Sequence, residues 1–470
     1  MLPFEEKTLE FFGEVVIDKS MIHEAGFGSR AIPTYVGEWI LSRYLENGKL
    51  NPEGRQKISA FVSKYLPSKQ QKDEIKNRLL KQETVKILDD YSVSVNLVTG
   101  TRLLRIPLLD MNDAHISDRI VDENELLLTS GVWGVGELFY IPPDGQNPKG
   151  QVWMKDFKPF QVASIDLDYF IACRQNFAFD EWLDLLVSSM GFNPVILSVE
   201  QKVTLITRIV PLVEPRLNLV ELAPKGTGKS FVYDNLSRYA RVIGGGTVTP
   251  AVLFYNLSTN MPGLITRYDV VVLDEIQSVS GDSTGELVAQ LKGYLESGKF
   301  SRGKTVATAE AGLVMLGNIP LDENHNPLVS EAGLFSEFPN FLRETAFIDR
   351  LHGFIPGWVL PRVTKDTPSR SLGFKGDFFS EVLSKLRKEM RYQDYVKINM
   401  NVSGSDDLRD RKAITRCASG YLKLLFPDQK PSPEEFKEYC VKPAVALRQR
   451  IRNELHKMDK EYSAVEIVVM

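Results

Sequence analysis

A glycine-rich stretch, residues 221–230 (ELAPKGTGKS), carries residue types that bind phosphate. In the pattern G-x-x-x-x-G-K-[ST], backbone N–H groups surround the phosphates, the lysine reaches the outer phosphates and the hydroxyl holds Mg²⁺. Gly228, Lys229 and Ser230 complete the second half, while Ala223 stands where the first glycine belongs. That glycine only ends a strand and begins a turn. The predicted phosphate-binding residues are Pro224, Lys225, Gly226, Thr227, Gly228, Lys229 and Ser230.

Two carboxylates, Asp274 and Glu275, follow the apolar run 270–273 (VVVL). Such a run predicts a strand buried on both faces of a parallel sheet, and ligands bind at the carboxyl ends of such strands. We expect Asp274 to hold the Mg²⁺ shell through water or through Ser230, and Glu275 to orient and deprotonate an attacking water. The alternative is a pair of solvated acids, which does not explain why they follow a wholly apolar strand.

The elements around the glycine-rich stretch are those that a phosphate site requires. Residues 218–222 predict a short buried strand before it, and residues 229–240 predict a helix after it. The order strand, glycine loop, helix matters because the helix N-terminus adds its dipole to an anion site. The alternative is a simple glycine turn at a strand end, which would not require the following helix.

Downstream of the carboxylates the pattern continues. Residues 282–298 predict a helix, 299–312 a hairpin and 313–317 a third buried strand that ends at Asn318. An amide at that position can align the water that Glu275 activates, although Asn is also a common turn residue.

The composition bounds the whole chain. Its 470 residues are 43% hydrophobic and 25% charged, an ordinary globular composition with room for two to four domains. The net charge of −4 excludes a uniformly basic nucleic-acid coat but leaves room for a local basic surface. The three cysteines lie far apart without metal-ligand spacing, and no apolar run reaches the ~20 residues of a membrane span. We therefore expect no zinc site, no disulfide framework and a cytoplasmic location.

The N-terminal third changes character along its length. Residues 1–83 predict helices, and between 55 and 86 nine Lys or Arg face three acids. That excess fits either a solvated helix face or a nucleic-acid contact. Residues 84–171 alternate with period two and predict a small β-barrel or sandwich, for which an oligonucleotide-binding barrel is one candidate. Its aromatic residues Phe139, Tyr140 and Trp153 are expected in the core rather than as base-stacking platforms.

The set ELAPKGTGKS, VVVLDEIQ, GKFSRGKTVATAEAG before LGNIP, FIDRLHGFIPGW and LRDRKAI resembles the Lon-like protein of bacterial BREX phage-defence systems. The resemblance implies an AAA+ P-loop ATPase of α/β fold with a helical lid, using ATP and Mg²⁺. It divides the chain into a helical domain (1–83), a β-rich domain (84–171), a linker and ATPase core (172–365) and a lid with a C-terminal extension (366–470). Lon-type members also carry a Ser–Lys protease domain; we expect a motor without one, or a truncated chain.

The resemblance also assigns roles to individual side chains. It makes Asn318 the residue called sensor 1, which aligns the attacking water. Arg350, in the apolar, strand-like run 346–358, is assigned as the finger that reaches the γ-phosphate held by a neighbouring subunit, with Arg343 as its rival. A local ion pair of Arg350 with Asp349 or Glu344 is the alternative. In the predicted helix 406–425, Arg409 is expected to contact nucleotide as the second sensor, with Arg411 as its rival.

The hairpin resembles that of the minichromosome-maintenance helicases, where a hairpin lysine faces DNA. Carried over, Lys304, with Lys299 or Arg302, would contact DNA in a pore. The favoured function is thus a ring-forming ATPase, hexameric and with rings that could stack, that translocates on DNA in phage exclusion alongside other defence proteins and without a membrane. The alternatives are a protein unfoldase, for which Phe300 is the one weak pore candidate, and a nucleotide-gated scaffold.

Overall fold

The computed structural model describes residues 2–27, 32–46, 48–97, 100–129, 131–144, 148–160, 165–258, 261–280, 285–329 and 333–470. The α-helices, in chain order, are α1 (Pro3–Phe12), α2 (Met21–Glu24), α3 (Thr34–Ser42), α4 (Pro52–Tyr65), α5 (Lys72–Leu80), α6 (Asp118–Asp122), α7 (Leu167–Cys173), α8 (Phe179–Ser189), α9 (Val199–Val213), α10 (Lys229–Asn235), α11 (Pro250–Leu253), α12 (Glu286–Ser297), α13 (Thr345–Ile348), α14 (Gly376–Lys388), α15 (Arg391–Asn399), α16 (Leu408–Leu425), α17 (Pro433–Phe436) and α18 (Lys442–Met458). The strands are β1 (Val16–Asp18), β2 (Val85–Asn96), β3 (Thr101–Ile106), β4 (Met111–Ile116), β5 (Val132–Ile141), β6 (Gln151–Pro159), β7 (Leu219–Ala223), β8 (Ala240–Thr247), β9 (Tyr255–Asn256), β10 (Met261–Pro262), β11 (Val270–Ser280), β12 (Lys299–Arg302), β13 (Thr305–Thr308), β14 (Gly312–Asn318), β15 (Gly353–Pro356), β16 (Leu372–Phe374), β17 (Val402–Ser403) and β18 (Val468–Val469).

The chain divides into two compact units. One contains Met21–Ala163, and the other contains Met1–Ser20 together with Ser164–Met470. The first residues join the larger unit because β1 pairs antiparallel with β16, with Val16 opposite Phe374. The expected segments 1–83 and 84–171 are therefore each distributed over both units, whereas 172–365 and 366–470 lie together in the larger one.

The smaller unit is built around a closed barrel with the strand order β2-β3-β4-β6-β5. The sequence predicted either a small barrel or a sandwich, and the described strands form a barrel. Strands β4 and β6 pair in parallel, and the other neighbours are antiparallel. The barrel core includes Leu138, Val152 and Met154.

Two aromatic residues of this barrel do not lie where we expected them. Phe139 and Trp153 are register partners on neighbouring strands, and both are only partly buried on the outward side. The expectation that they belong to the core is wrong, because alternation along each strand gives the inward positions to their neighbours Leu138 and Met154. Tyr140 is partly buried and packs against the core. Trp153 stacks on His115 with ring centroids 4.9 Å apart.

The basic stretch 55–86 is largely paired. Five of its cations form ion pairs with carboxylates of the same unit: Arg55 with Glu24, Lys57 with Glu53, Lys72 with Asp110, Arg78 with Glu83 and Lys86 with Glu137. Such pairing favours the solvated helix face over the nucleic-acid contact.

The larger unit contains a five-stranded sheet with the order β15-β7-β14-β11-β8. All neighbouring strands run parallel. Strand β11 is buried on both faces, since Val270 and Val272 belong to one apolar core while Val271 and Leu273 belong to the other. The predicted strands at 218–222, 270–273 and 313–317 are thus confirmed, and they bring their carboxyl ends to one edge of the sheet.

Helices cover both faces. Helices α9, α14 and α16 contribute to one core, α12 contributes to the other, and α18 contributes to both. The helix expected over 229–240 ends at Asn235, because residues 240–247 form strand β8 beside β11. Within the described residues, no helix is both long and apolar enough to cross a membrane.

Candidate active site

The glycine-rich loop leaves the carboxyl end of β7 and enters α10. Gly226 and Gly228 adopt φ of 80° and 73°, a left-handed conformation that favours glycine. Thr227 Oγ1 donates to the Pro224 carbonyl at 3.2 Å, and the Val363 N–H donates to the Gly226 carbonyl at 2.7 Å. The loop is therefore held in a turned conformation by contacts at both ends.

Ala223 takes the place of the missing first glycine without strain, for a reason that lies elsewhere in the chain. A Cβ built on Gly357 would lie 2.6 Å from the Ala223 Cβ and 2.4 Å from Glu221 Oε1. Gly357 directly follows β15, the strand beside β7. The space that the loop pattern usually leaves at its first glycine is left here by the glycine that follows the neighbouring strand.

A buried ion pair braces the loop from below. Arg208, on α9, donates to both carboxylate oxygens of Glu221 at 3.0 and 2.6 Å, and both side chains are fully buried. Its remaining donor, Nη1, reaches the Thr227 carbonyl at 3.1 Å. Sequence reasoning missed this pair, although an Arg within an apolar helix and a Glu within the strand LVELA were the signal.

Lys229 lies among neutral oxygens. Its ammonium donates to Asn318 Oδ1 at 3.1 Å and to the carbonyls of Ala223 and Pro224 at 3.4 and 3.3 Å. Within the described residues no carboxylate forms an ion pair with it. Burial lowers the pKa of Lys229, while Glu221 and Asp274 act in the opposite direction. A buried ammonium without an anionic partner is suited to receive phosphate oxygens.

Ser230 and Asp274 lie in direct contact. The Ser230 hydroxyl donates to Asp274 Oδ2, and the other carboxylate oxygen accepts from the Glu275 N–H at 2.8 Å. A hydroxyl and a carboxylate side by side are the oxygen ligands that Mg²⁺ prefers. Asp234 lies close by, and the pKa of its carboxyl is raised by burial and by Asp274.

Glu275 is exposed and stands at an irregularity in β11. The pairing of β11 with β8 shifts register between Asp274 and Val279, so β11 continues past the carboxylates to Ser280. Glu275 itself has φ of 51°. Bulges re-aim side chains and are frequent beside active sites. The pairing of β11 with β14, by contrast, ends at Leu273, directly before the two acids.

Asn318 ends β14 between these groups. Its side chain accepts from Lys229, and its carbonyl accepts from the Gln277 amide. The structure thus brings together Lys229, Ser230, Asp274 and Asn318, with Glu275 adjoining Asp274 through the backbone. These are five of the predicted site residues.

Arg350 and Arg409 lie at the other edge of the sheet. Strand β15 begins at Gly353, which pairs with Leu219 at the start of β7. Arg350 therefore precedes the amino end of a strand, whereas the glycine-rich loop follows the carboxyl end of its neighbour. Strand β7 alone spans roughly 13 Å at about 3.3 Å per residue. Arg350 is not in the strand-like run we expected but follows the short helix α13.

The two arginines share one carboxylate. Glu296 Oε2 lies 3.1 Å from Arg350 Nε and 2.9 Å from Arg409 Nη2. Arg409 Nη1 also donates to Asp349 Oδ2 at 2.6 Å. Arg350 is therefore paired with neither Asp349 nor Glu344, the partners that sequence reasoning offered; Glu344 pairs with Lys292.

A buried network lies beneath them. Arg448 pairs with Asp349 at 2.9 Å and with Asp410 at 2.6 Å. His352 is buried beside it, and this burial lowers its pKa well below the ordinary value, with Arg416 and Arg448 adding to the effect. The rival arginines differ in surroundings: Arg343 donates to the carbonyls of Phe338 and Ser336, both at 2.6 Å, and Arg411 is exposed.

The predicted hairpin is formed by β12 and β13, with its turn at Gly303 (φ 58°) and Lys304. Lys299 and Lys304 are exposed. Arg302 is occupied, because it pairs with Glu286 at 3.1 Å and donates to the Tyr255 carbonyl. Phe300 is buried against Phe254, with ring centroids 5.3 Å apart.

Comparison with known families agrees with these features. Residues 152–468 match the family described as "Lon-like protease BrxL-like, ATPase domain", and residues 10–140 match "BREX system Lon protease-like protein BrxL N-terminal". The chain belongs to the BrxL-like family. The predicted resemblance is thereby confirmed, and the α/β unit described above is its ATPase domain.

Among curated relatives, the chain is 31% identical over 452 residues to "Lon-like protease BrxL" of Escherichia coli O9:H4 (strain HS). It is 29% identical over 451 residues to the protein of the same name from Bacillus cereus (strain H3081.97). These alignments cover 96% and 95% of this chain but 64% and 66% of the relatives. An uncharacterised protein of Acidianus filamentous virus 1 is 24% identical over 199 residues, which are 37% of this chain and 44% of that protein.

Proposed function

We propose that this chain hydrolyses ATP at a seam between two copies of itself and uses the cycle to translocate on DNA, in BREX-type phage defence. One observation carries the proposal. The phosphate-binding constellation lies at the carboxyl edge of the sheet, and the two arginines lie at the amino edge. An arginine that is to reach a γ-phosphate must therefore serve the nucleotide of a neighbouring copy.

The residues at the glycine-rich loop fit a magnesium nucleotide. Lys229 presents a buried ammonium that no carboxylate of the described chain neutralises, and Ser230 with Asp274 offers hydroxyl and carboxylate oxygens. Mg²⁺ held there would neutralise charge on the phosphates. Pro224–Thr227 would line the phosphates with backbone groups, in the turned conformation that Arg208 braces.

Glu275 and Asn318 supply the proton and water chemistry. Glu275 is exposed at the bulge beside Asp274, where its carboxylate is free to take a proton from an attacking water. Asn318 is fixed through its carbonyl by Gln277, so that its side-chain amide has a defined direction. In this proposal both residues act on the nucleotide bound by their own chain.

Arg350 and Arg409 act together on the nucleotide of the adjacent copy. They already share a carboxylate oxygen of Glu296, so they converge on one anion. For Arg409 this differs from a sensor role toward its own nucleotide, since it lies on the edge remote from Lys229. A homo-oligomeric ring is the assembly in which every copy gives and receives such a contact.

For DNA we propose Lys304 and Lys299 as the first contacts, ahead of Arg302. The two lysines are exposed on the hairpin, whereas Arg302 is held by Glu286 and Tyr255. Burial of Phe300 removes the one aromatic pore candidate of a protein unfoldase, and this observation favours DNA over polypeptide. Duplex DNA should raise ATP turnover. If only an unfolded polypeptide raised it, the protein unfoldase would become the favoured function.

The experiment that tests the proposal is electron microscopy of the protein with and without ATP and duplex DNA, combined with Glu275→Gln. Closed rings should form with ATP, and the variant should bind ATP and assemble while turnover falls by about 10² or more. A monomer that hydrolyses ATP at full speed would contradict the seam. Turnover that persists in Glu275→Gln would contradict only the proposed role of Glu275 in activating water.

A further inference from the structure

Glu296 occupies an unusual position for an acid. It lies in the last turn of α12, where the partial negative charge of the helix C-terminus disfavours a carboxylate and favours cations. Cations do surround this helix end: Lys412 donates to the Glu296 carbonyl at 3.3 Å and Arg216 to the Ser297 carbonyl at 2.8 Å. The carboxylate of Glu296 is therefore unfavourable for the helix itself, and its contacts are with Arg350 and Arg409.

The two carboxylates that face these arginines differ in freedom. Asp349 is 2% exposed and is also held by Arg448, so it gives Arg409 a fixed anchor. Glu296 is 43% exposed and can swing into solvent, which leaves Arg409 its pair with Asp349 and leaves Arg350, 20% exposed, its hydrogen bond to the Ala346 carbonyl. It is the group that an incoming anion could replace with little cost, because exposed pairs contribute little to stability.

We infer that Glu296 is a positioning residue that stands in for the γ-phosphate of the neighbouring copy. It holds Arg350 and Arg409 together while the seam is open, and it gives both arginines up when the neighbour's nucleotide arrives. This inference rests on the proposed function. It adds a competitor within the chain for the arginines that the seam requires.

Release of Glu296 has a direct mechanical path to the hairpin. Helix α12 ends at Ser297, the following Gly298 caps it in a left-handed conformation (φ 74°), and β12 begins at Lys299. The far end of the hairpin returns to the same point, since the Ala309 N–H donates to the Gly298 carbonyl at 2.9 Å. The nucleotide state of one copy would thus be reported to the DNA-facing hairpin of the next.

The test is steady-state ATP hydrolysis by Glu296→Gln, which keeps the shape and removes the charge. Without the competitor the KM for ATP should fall three- to tenfold, equivalent to about 0.7–1.4 kcal/mol, with kcat kept within about twofold. Stimulation by DNA should fall, because neither arginine any longer has to give up the Glu296 carboxylate. Glu344→Gln is the matched control. It removes an exposed carboxylate that pairs with Lys292, a cation on the same helix α12 as Glu296, and it should leave KM unchanged.

An unchanged KM in Glu296→Gln, or a fall in kcat with a lower unfolding temperature, would overturn the inference and leave Glu296 a structural residue. Should the amide variant not fold, Glu296→Asp shortens the reach to both arginines and should also lower KM, whereas a merely structural acid would not. Arg350→Ala separates the two proposals. If Arg350→Ala keeps full turnover, the proposed nucleotide site between two copies is contradicted. If Arg350→Ala is inactive while Glu296→Gln has the wild-type KM, only the proposed role of Glu296 is contradicted.

Discussion

The brace formed by Arg208 and Glu221 makes a prediction in which stability and nucleotide affinity separate. Both side chains are fully buried and joined by two hydrogen bonds of 2.6 and 3.0 Å. Arg208→Met leaves Glu221 as an uncompensated buried charge, which costs about 3–5 kcal/mol. Glu221→Met strands the guanidinium and should cost a similar amount. The double variant removes both charges, so it should be more stable than either single variant by about 2 kcal/mol or more, although the Thr227 carbonyl stays without its donor.

Nucleotide affinity should not return with it. In the double variant the Thr227 carbonyl still lacks its donor, Arg208 Nη1. A hydrogen bond from a charged group is worth about 1.5–3 kcal/mol, so ATP should bind about tenfold more weakly or worse. Urea unfolding followed by circular dichroism measures the stabilities, and titration calorimetry with ATP measures the affinity. A double variant as unstable as the singles would refute the charge argument, and wild-type affinity in the double variant would refute the brace.

Three further outcomes are expected. Lys229→Met should abolish ATP binding yet raise the free energy of unfolding by about 1 kcal/mol, because the buried ammonium has only neutral hydrogen-bond partners. Calorimetric unfolding should show this gain shrinking as the pH rises toward 10.5, where Lys229 loses its charge in the unfolded state as well. His352 has a lowered pKa, so the free energy of unfolding of the wild type should fall as the pH drops below about 6.5, by up to about 1.4 kcal/mol per pH unit. In urea titrations at pH 5–7, His352→Gln should lose that pH dependence. An unchanged pH dependence in the variant would show that another group is responsible. Lys304→Glu should weaken DNA binding and flatten its dependence on salt by about one phosphate contact, whereas Lys430→Glu, exposed and off the hairpin, should not; equal slopes would remove the hairpin from the DNA path.

The chemistry of the carboxyl edge could be predicted from sequence because it depends on local order. Three apolar strands, each followed by polar residues, place Lys229, Asp274 and Asn318 at one edge once the strands are parallel. No knowledge of distant contacts is needed for that step. The same holds for the hairpin, whose turn is set by Gly303 and whose strands alternate.

What could not be predicted depends on residues far apart in the chain. The tolerance of Ala223 requires Gly357, 134 positions later, and the fixed turn of the loop requires Arg208. The pairing of Arg350 with Glu296 was not found because sequence neighbours seemed to offer partners, whereas the end of α12 lies closer in space. The outward position of Trp153 was missed because a large aromatic residue in an alternating strand looks the same on either face.

The most direct test of the shared seam mixes two inactive variants. Lys229→Ala lacks a working phosphate loop and Arg350→Ala lacks the arginine, so neither should hydrolyse ATP alone. Co-expressed in equal amounts, about a quarter of the seams would join an intact loop to an intact arginine in a head-to-tail assembly. Turnover should then recover to about a quarter of the wild-type rate. Mixed assemblies that remain as inactive as their parents, or full activity of Arg350→Ala by itself, would contradict a nucleotide site shared between two copies.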